Sequence, residues 1–167
     1  MRASNRDGER PQTGEARGSY GNNALRQAAM ALLARATHDE LTQGLASAGC
    51  STECEDLRKP EIGLIMARGR VSGTGQPFNL GEVAVTRAAV QLTDGTTGFS
   101  YLMGRDTARA RLAAIADAHW QGESSRRQIE THVLDPVRER LTRTRQRQRA
   151  EVAATQVDFF TMVRGDD

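Results

Sequence analysis

Thr86-Arg87-Ala88-Ala89-Val90-Gln91-Leu92-Thr93-Asp94-Gly95-Thr96-Thr97-Gly98-Phe99-Ser100-Tyr101-Leu102-Met103 holds the clearest structural signal in the chain. Two apolar runs, Val83–Leu92 and Thr97–Met103, flank Asp94-Gly95. An Asp-Gly pair between such runs predicts a β-hairpin, because a tight type I′ turn needs positive φ angles that Gly tolerates and Asp accepts. The sheet is therefore expected to be antiparallel. Upstream, Ile62–Val71 reads as a strand, and its contiguous Leu64, Ile65, Met66 and Ala67 suggest cover on both faces. Glu53–Leu57 is a weaker strand, and Phe78-Asn79-Leu80 adds a short one. Downstream, Gly104-Arg105-Asp106 closes the sheet, and Asp106 is placed to cap a helix with Ala108, Leu112, Ile115, Ala116 and Trp120 on its apolar face.

The flanks read as helices. Leu25, Ala28, Ala29, Leu32, Leu33 and Ala36 recur at helical spacing, which predicts a helix over 24–36 capped by Asn23. Thr37 and Glu40 have capping-box spacing, and Leu41, Leu45 and Ala48 supply a buried face that Gly49 ends. So short a link predicts a helical hairpin. After Gly122 comes a helical stretch with Ile129, Val133 and Leu134. Asp135-Pro136 then reads as an N-cap with proline at the first helical position, so a separate helix is expected to start there and run to about Ala154. Residues 1–22 are polar and glycine-bearing, with almost nothing apolar before Tyr20, and are expected to be a disordered leader. Residues 23–167 read as a single domain of the α+β type. No internal repeat is present.

Composition narrows the function classes. The 167 residues suit one domain, and 38% hydrophobic with 26% charged residues is ordinary for a soluble protein. A net charge of +2 names no partner. No apolar run has signal-peptide or membrane-span length, so the chain reads as cytoplasmic. Of 23 basic residues only Lys59 is a lysine, a bias that a GC-rich genome explains more readily than phosphate binding. Cys50 and Cys54 form no Cys-x-x-Cys pair and read as inert thiols at the start of a strand.

Candidate chemistry is sparse. Gly73, Thr74 and Gly75 could cradle a phosphate with their backbone N–H groups, and Arg105 could assist. The loop lacks the lysine and the spacing of a P-loop, so a strand-connecting turn is favoured. His38, His119 and His132 match no metal spacing, and no nucleophile with its base can be picked out. Arg138, Arg140, Arg143, Arg145, Arg147 and Arg149 make a basic helix that could follow a nucleic-acid backbone. No aromatic residue is interleaved for base stacking, so a solvated face, or one meeting an acidic partner, is favoured. The final segment is unusual for its position. Phe159, Phe160, Met162 and Val163 cluster almost at the chain end, where residues are ordinarily polar. Packing on its own domain and anchoring in a partner's groove both fit, and periodicity leaves the two open.

Three stretches together resemble one family: Thr86–Gly95, then Gly98-Phe99-Ser100-Tyr101 with Gly104-Arg105-Asp106, and Val157–Asp166. They are similar to the PhnG subunits of the phosphonate carbon–phosphorus lyase system, over about Ala24 to the end. The resemblance implies a compact α/β domain within a core complex with PhnI, PhnH and PhnJ subunits. With PhnI, PhnH and PhnL it would support attack of methylphosphonate on the ribose C1′ of ATP, releasing adenine. ATP is then a substrate of the complex, and no cofactor of the chain's own is implied. No catalytic residue is carried over. Asp158, Phe159, Phe160, Met162, Val163 and Arg164 become the expected partner-binding segment. Membrane and nucleic acid are not among the implied partners. Two other classes remain. One is a small basic nucleic-acid-binding protein using helix 138–149, and the other a stand-alone nucleotide or phosphate-ester enzyme using the glycine loop and Arg105.

Overall fold

A computed structural model describes residues 14–70 and 75–155, with side chains from Asn22 onward. Helices α1 (Gly14–Leu33) and α2 (His38–Ser47) come first. Strands β1 (Cys54–Arg70), β2 (Pro77–Leu92) and β3 (Thr97–Met103) form one antiparallel sheet in the order β1-β2-β3. Then come α3 (Thr107–Gln121), α4 (Glu123–Ile129), a π turn (Glu130–Leu134) and α5 (Asp135–Ala154). The α+β architecture is the expected one. No helix among the described residues is long and apolar enough to cross a membrane.

The caps explain the helix limits. The Thr37 hydroxyl accepts from the Glu40 N–H, and the Glu40 carboxylate accepts from the Thr37 N–H, which is the expected capping box. Gly49, at φ +64°, ends α2. The Asp106 carboxylate accepts from the Arg109 N–H and starts α3. α1 departs from expectation. It begins at Gly14, so Asn23 lies inside it and caps nothing. The leader expected over 1–22 is helical from Gly14, and residues 1–13 lie outside the described residues.

α5 also departs. The chain stays in right-handed helical conformation through Leu134 and Asp135, and the Asp135 N–H bonds to the Glu130 carbonyl, five residues back. Asp135 is not an N-cap. Pro136 has no N–H for the carbonyl four residues earlier, and one wide turn absorbs the mismatch without ending the helix. Gly44 of α2 packs on this turn. A Cβ there would lie 2.7 Å from the His132 carbonyl oxygen.

The sheet is longer and barer than the sequence suggests. The two expected strands upstream are one strand, β1, whose pairing with β2 shifts between Arg58 and Glu61, around Pro60. Proline is tolerated there because β1 is an edge strand and the register slips at a bulge. Phe78–Leu80 and Val83–Leu92 are likewise one strand, β2. The hairpin at Asp94-Gly95 is present, with a different turn. The Gly95 N–H bonds to the Leu92 carbonyl and the Leu92 N–H to the Thr96 carbonyl, so the loop has three residues, with Gly95 at φ +85°. That is the alternative short-hairpin geometry, in place of the two-residue type I′ turn.

The core lies on one face of the sheet. Ala88, Val90 and Leu92 of β2 and Leu102 of β3 meet Ala110, Ala113, Ala114, Ile115 and Ala118 of α3. Ala108 and Leu112, expected on that face, are exposed and half-buried. Alanines let α3 approach closely, and Gly98 lets it come closer still. A Cβ at Gly98 would sit 2.0 Å from the Ala114 carbonyl oxygen. Leu41 and Leu45 of α2, Ile129 and Val133, and Leu33 of α1 complete the core.

Candidate interaction surface

Among the described residues α3 packs on one face of the sheet, α1 stands beside Phe99 of β3, and much of the opposite face is uncovered. β3 ends at Met103 opposite Val85, so β2 beyond that point has no neighbour on its second edge among the described residues. Residues 64–70 and 77–84 therefore stand as a two-stranded arm. Pairing sets its faces. Ile62, Leu64 and Met66 oppose Thr86, Ala84 and Glu82 on one face, and Gly63, Ile65 and Ala67 oppose Val85, Val83 and Gly81 on the other. Leu64 is 58% exposed, Met66 50% and Leu80 62%. The expectation that this strand is covered on both faces is not met by the described residues, which leave Ile62, Leu64, Ile65 and Met66 exposed.

The bare face continues onto the body of the sheet. Phe99, Tyr101 and Met103 of β3 are exposed, Met103 by 70%, with the Arg26 guanidinium of α1 over the Phe99 ring. An ion cluster sits among them. Glu61 accepts from Arg87 at 2.5 Å and from Arg58 at 2.8 Å. Arg87 first, then Arg58, holds the Glu61 carboxyl below its ordinary range. Charges at fixed positions beside apolar side chains resemble the polar rim of a protein interface.

The residues singled out from sequence do not converge. Gly75 is half-buried just before β2, while Gly73 and Thr74 lie outside the described residues. Arg105 is exposed beyond β3. Gly104 bonds to Ala84, seven residues up β2 from Pro77. At about 3.3 Å per residue, roughly 23 Å of strand separates Arg105 from Gly75. Gly75 and Arg105 thus stand far apart along the arm. Asp158, Phe159, Phe160, Met162, Val163 and Arg164 lie outside the described residues.

Other candidates resolve into packing. His119 Nε2 lies 2.9 Å from the Ser51 carbonyl oxygen, His38 starts α2 and His132 sits in the π turn. Among the described residues, no group of three His, Cys, Asp or Glu could hold a metal ion. Cys50 and Cys54 are free and half-buried, and burial pushes both thiols up. Arg111, 3.0 Å from the Cys54 sulfur, opposes that push and does not overcome it. The basic helix is largely matched by acid. Arg138 pairs with Asp135 and Glu130, Arg140 with Glu40, Arg143 with Glu139, and Arg147 with Glu151. Such a helix presents a mixed face and not a cationic rail for nucleic acid. No acid–base pair facing a cavity emerges among the described residues.

The arm was missed in the sequence, although its signal was there. Leu64–Ala67 is apolar on both alternations, and Phe78 and Leu80 add to one of them on the partner strand.

Comparison with known proteins agrees with the motif resemblance. The family described as "Phosphonate metabolism protein PhnG" matches residues 24–165. A relative from Rhizobium meliloti (strain 1021) is 48% identical over 144 residues, covering 86% of this chain and 92% of its own. It is described as alpha-D-ribose 1-methylphosphonate 5-triphosphate synthase subunit PhnG.

Proposed function

Because the chain belongs to the PhnG family of phosphonate metabolism proteins, we propose that it works as a subunit of an α-D-ribose 1-methylphosphonate 5-triphosphate synthase. In this reading it assembles with PhnI, PhnH and PhnJ subunits in the cytoplasm, and PhnL joins in the reaction. The assembly transfers the ribose triphosphate part of ATP to methylphosphonate. An oxygen of the phosphonate forms a bond to C1′, and the bond from C1′ to adenine breaks. The chain contributes surface and not a nucleophile or a base.

One observation carries the reading. The arm presents exposed apolar side chains on both faces, uncovered by any other described residue. A two-stranded ribbon of this kind is marginal in water alone and stable once a partner encloses it. The relative's description as a synthase subunit supports the same conclusion.

The test is co-purification. Leu64→Asp with Leu80→Asp replaces two side chains that already face water, so the lone chain should melt close to the wild type. A tag on the variant should recover little PhnI, PhnH or PhnJ, and the reconstituted mixture should release little adenine from ATP and methylphosphonate. Wild-type recovery of partners by this variant would remove the arm as the docking surface. Adenine release by the isolated wild-type chain would remove the subunit reading itself.

A further inference from the structure

Helices α1 and α5 leave an apolar trough between them. Arg140 donates to the Arg35 carbonyl at one end. Toward the other end, Ala28, Ala31, Leu32 and Leu141 floor a cavity of about 400 Å³ bordered by Arg145. A second hollow of about 410 Å³ shares Arg145 and continues along α5 over Arg149, Val152 and Ala153. Val152 is 71% exposed, and Leu25, one turn before Ala28 on α1, is 59% exposed. The rim is cationic. Arg35, Arg145 and Arg149 have no ion-pair partner among the described residues, unlike the four other arginines of α5. The trough thus suits a peptide that is apolar and acidic together.

We propose that the chain's own C-terminal segment, residues 156–167, seats in this trough. Composition matches on both counts. Phe159, Phe160, Met162 and Val163 suit the floor, and Asp158, Asp166 and Asp167 suit the arginine rim. Reach matches as well. α5 ends at Ala154, and Arg145 lies nine residues back, about 14 Å at 1.5 Å per residue. An extended chain covers that in about four residues. A reversal after Thr155 therefore brings Phe159 and Phe160 to about the level of Arg145, past Arg149. Nucleic acid fits less well, because an apolar floor without aromatic residues offers bases nothing to stack on. Of the two receptors that periodicity leaves open for the tail, the charge pattern selects the chain's own helices. The inference is independent of the synthase reading.

A fluorescent peptide of residues 156–167 tests it against full-length proteins. Phe159→Ala with Phe160→Ala disables the resident tail. This variant should bind the peptide at least about tenfold more tightly than the wild type, whose trough is filled, a difference of about 1.4 kcal/mol. Adding Arg145→Glu and Arg149→Glu, both exposed positions, should abolish binding. Amide exchange across Leu141–Val152 should be slower in the wild type than in the Phe159→Ala, Phe160→Ala variant. Equal peptide binding by variant and wild type, no binding by either, or binding indifferent to charge reversal would each overturn the proposal. A wild-type dimer that the phenylalanine substitutions dissociate would place a second copy's tail there and overturn the seat within one chain. Tight binding of a short RNA by the wild type, lost on Arg145→Glu with Arg149→Glu, would overturn it too.

Discussion

Asp117 has no exposed surface, yet it lies in the middle of α3. Its carboxylate accepts from Arg26 of α1 at 3.0 and 2.6 Å and from the Phe99 N–H of β3 at 2.9 Å. One side chain therefore ties a helix, a strand and a second helix together. Asp117→Ala leaves a guanidinium and a backbone N–H without their acceptor, and a cost of about 3 kcal/mol is expected in urea unfolding. Glu40 plays a milder part. The Arg140 guanidinium holds its carboxyl below the ordinary range, against burial, and the Thr37 N–H helps. A carboxylate lowered on folding stabilises above its unfolded value of about 4.3 and loses that stabilisation as pH falls through the folded value. Glu40→Gln should therefore cost about 1 kcal/mol at neutral pH, the size expected for a partly exposed pair. Denaturant midpoints of variant and wild type should converge below about pH 4. The Thr37–Glu40 box was legible because both partners are three residues apart. Asp117 was not, because its partners lie 91 and 18 residues away and no local spacing announces them.

Glycines report how closely the elements approach. Gly98 of β3 and Gly95 of the hairpin are three residues apart and answer to different constraints. Nothing lies within 4 Å of a Cβ at Gly95, so only its positive φ resists substitution, and Gly95→Val should cost about 1–2 kcal/mol. Gly98 faces the backbone of α3 at 2.0 Å, and backbone cannot step aside as a side chain can. Gly98→Ala should cost at least about 3 kcal/mol, enough to make calorimetry show a collapsed melting temperature. The reverse ranking would mean that turn strain outweighs helix–sheet contact. Asp94-Gly95 announced the hairpin, while the three-residue loop was settled by the strand register on either side. The helix limits around the π turn were illegible for a related reason. Asp135-Pro136 has the local chemistry of a helix start, and packing of Gly44, Val133 and Leu134 carries the helix straight through it.

At the scale of the molecule, α3 covers one face of the sheet, and the described residues leave much of the other face exposed. The α+β class was readable, because hairpin, caps and helical stripes all agree. The disposition of the sheet was not, because contiguous apolar residues signal burial on two faces without saying whose residues provide it. Leu64, Met66, Phe78 and Leu80 are buried by nothing among the described residues. The lone protein should accordingly self-associate, its sedimentation coefficient rising with concentration, and Leu64→Asp with Leu80→Asp should hold it monomeric. A concentration-independent wild type would show the bare face to be well tolerated by water. The arm also bears on the fate of the chain in a cell. A protein made in excess of whatever encloses its arm offers chaperones and proteases an extended apolar ribbon, the feature by which both select clients. Its abundance is then set less by its own synthesis than by the scarcest companion, and surplus copies are short-lived.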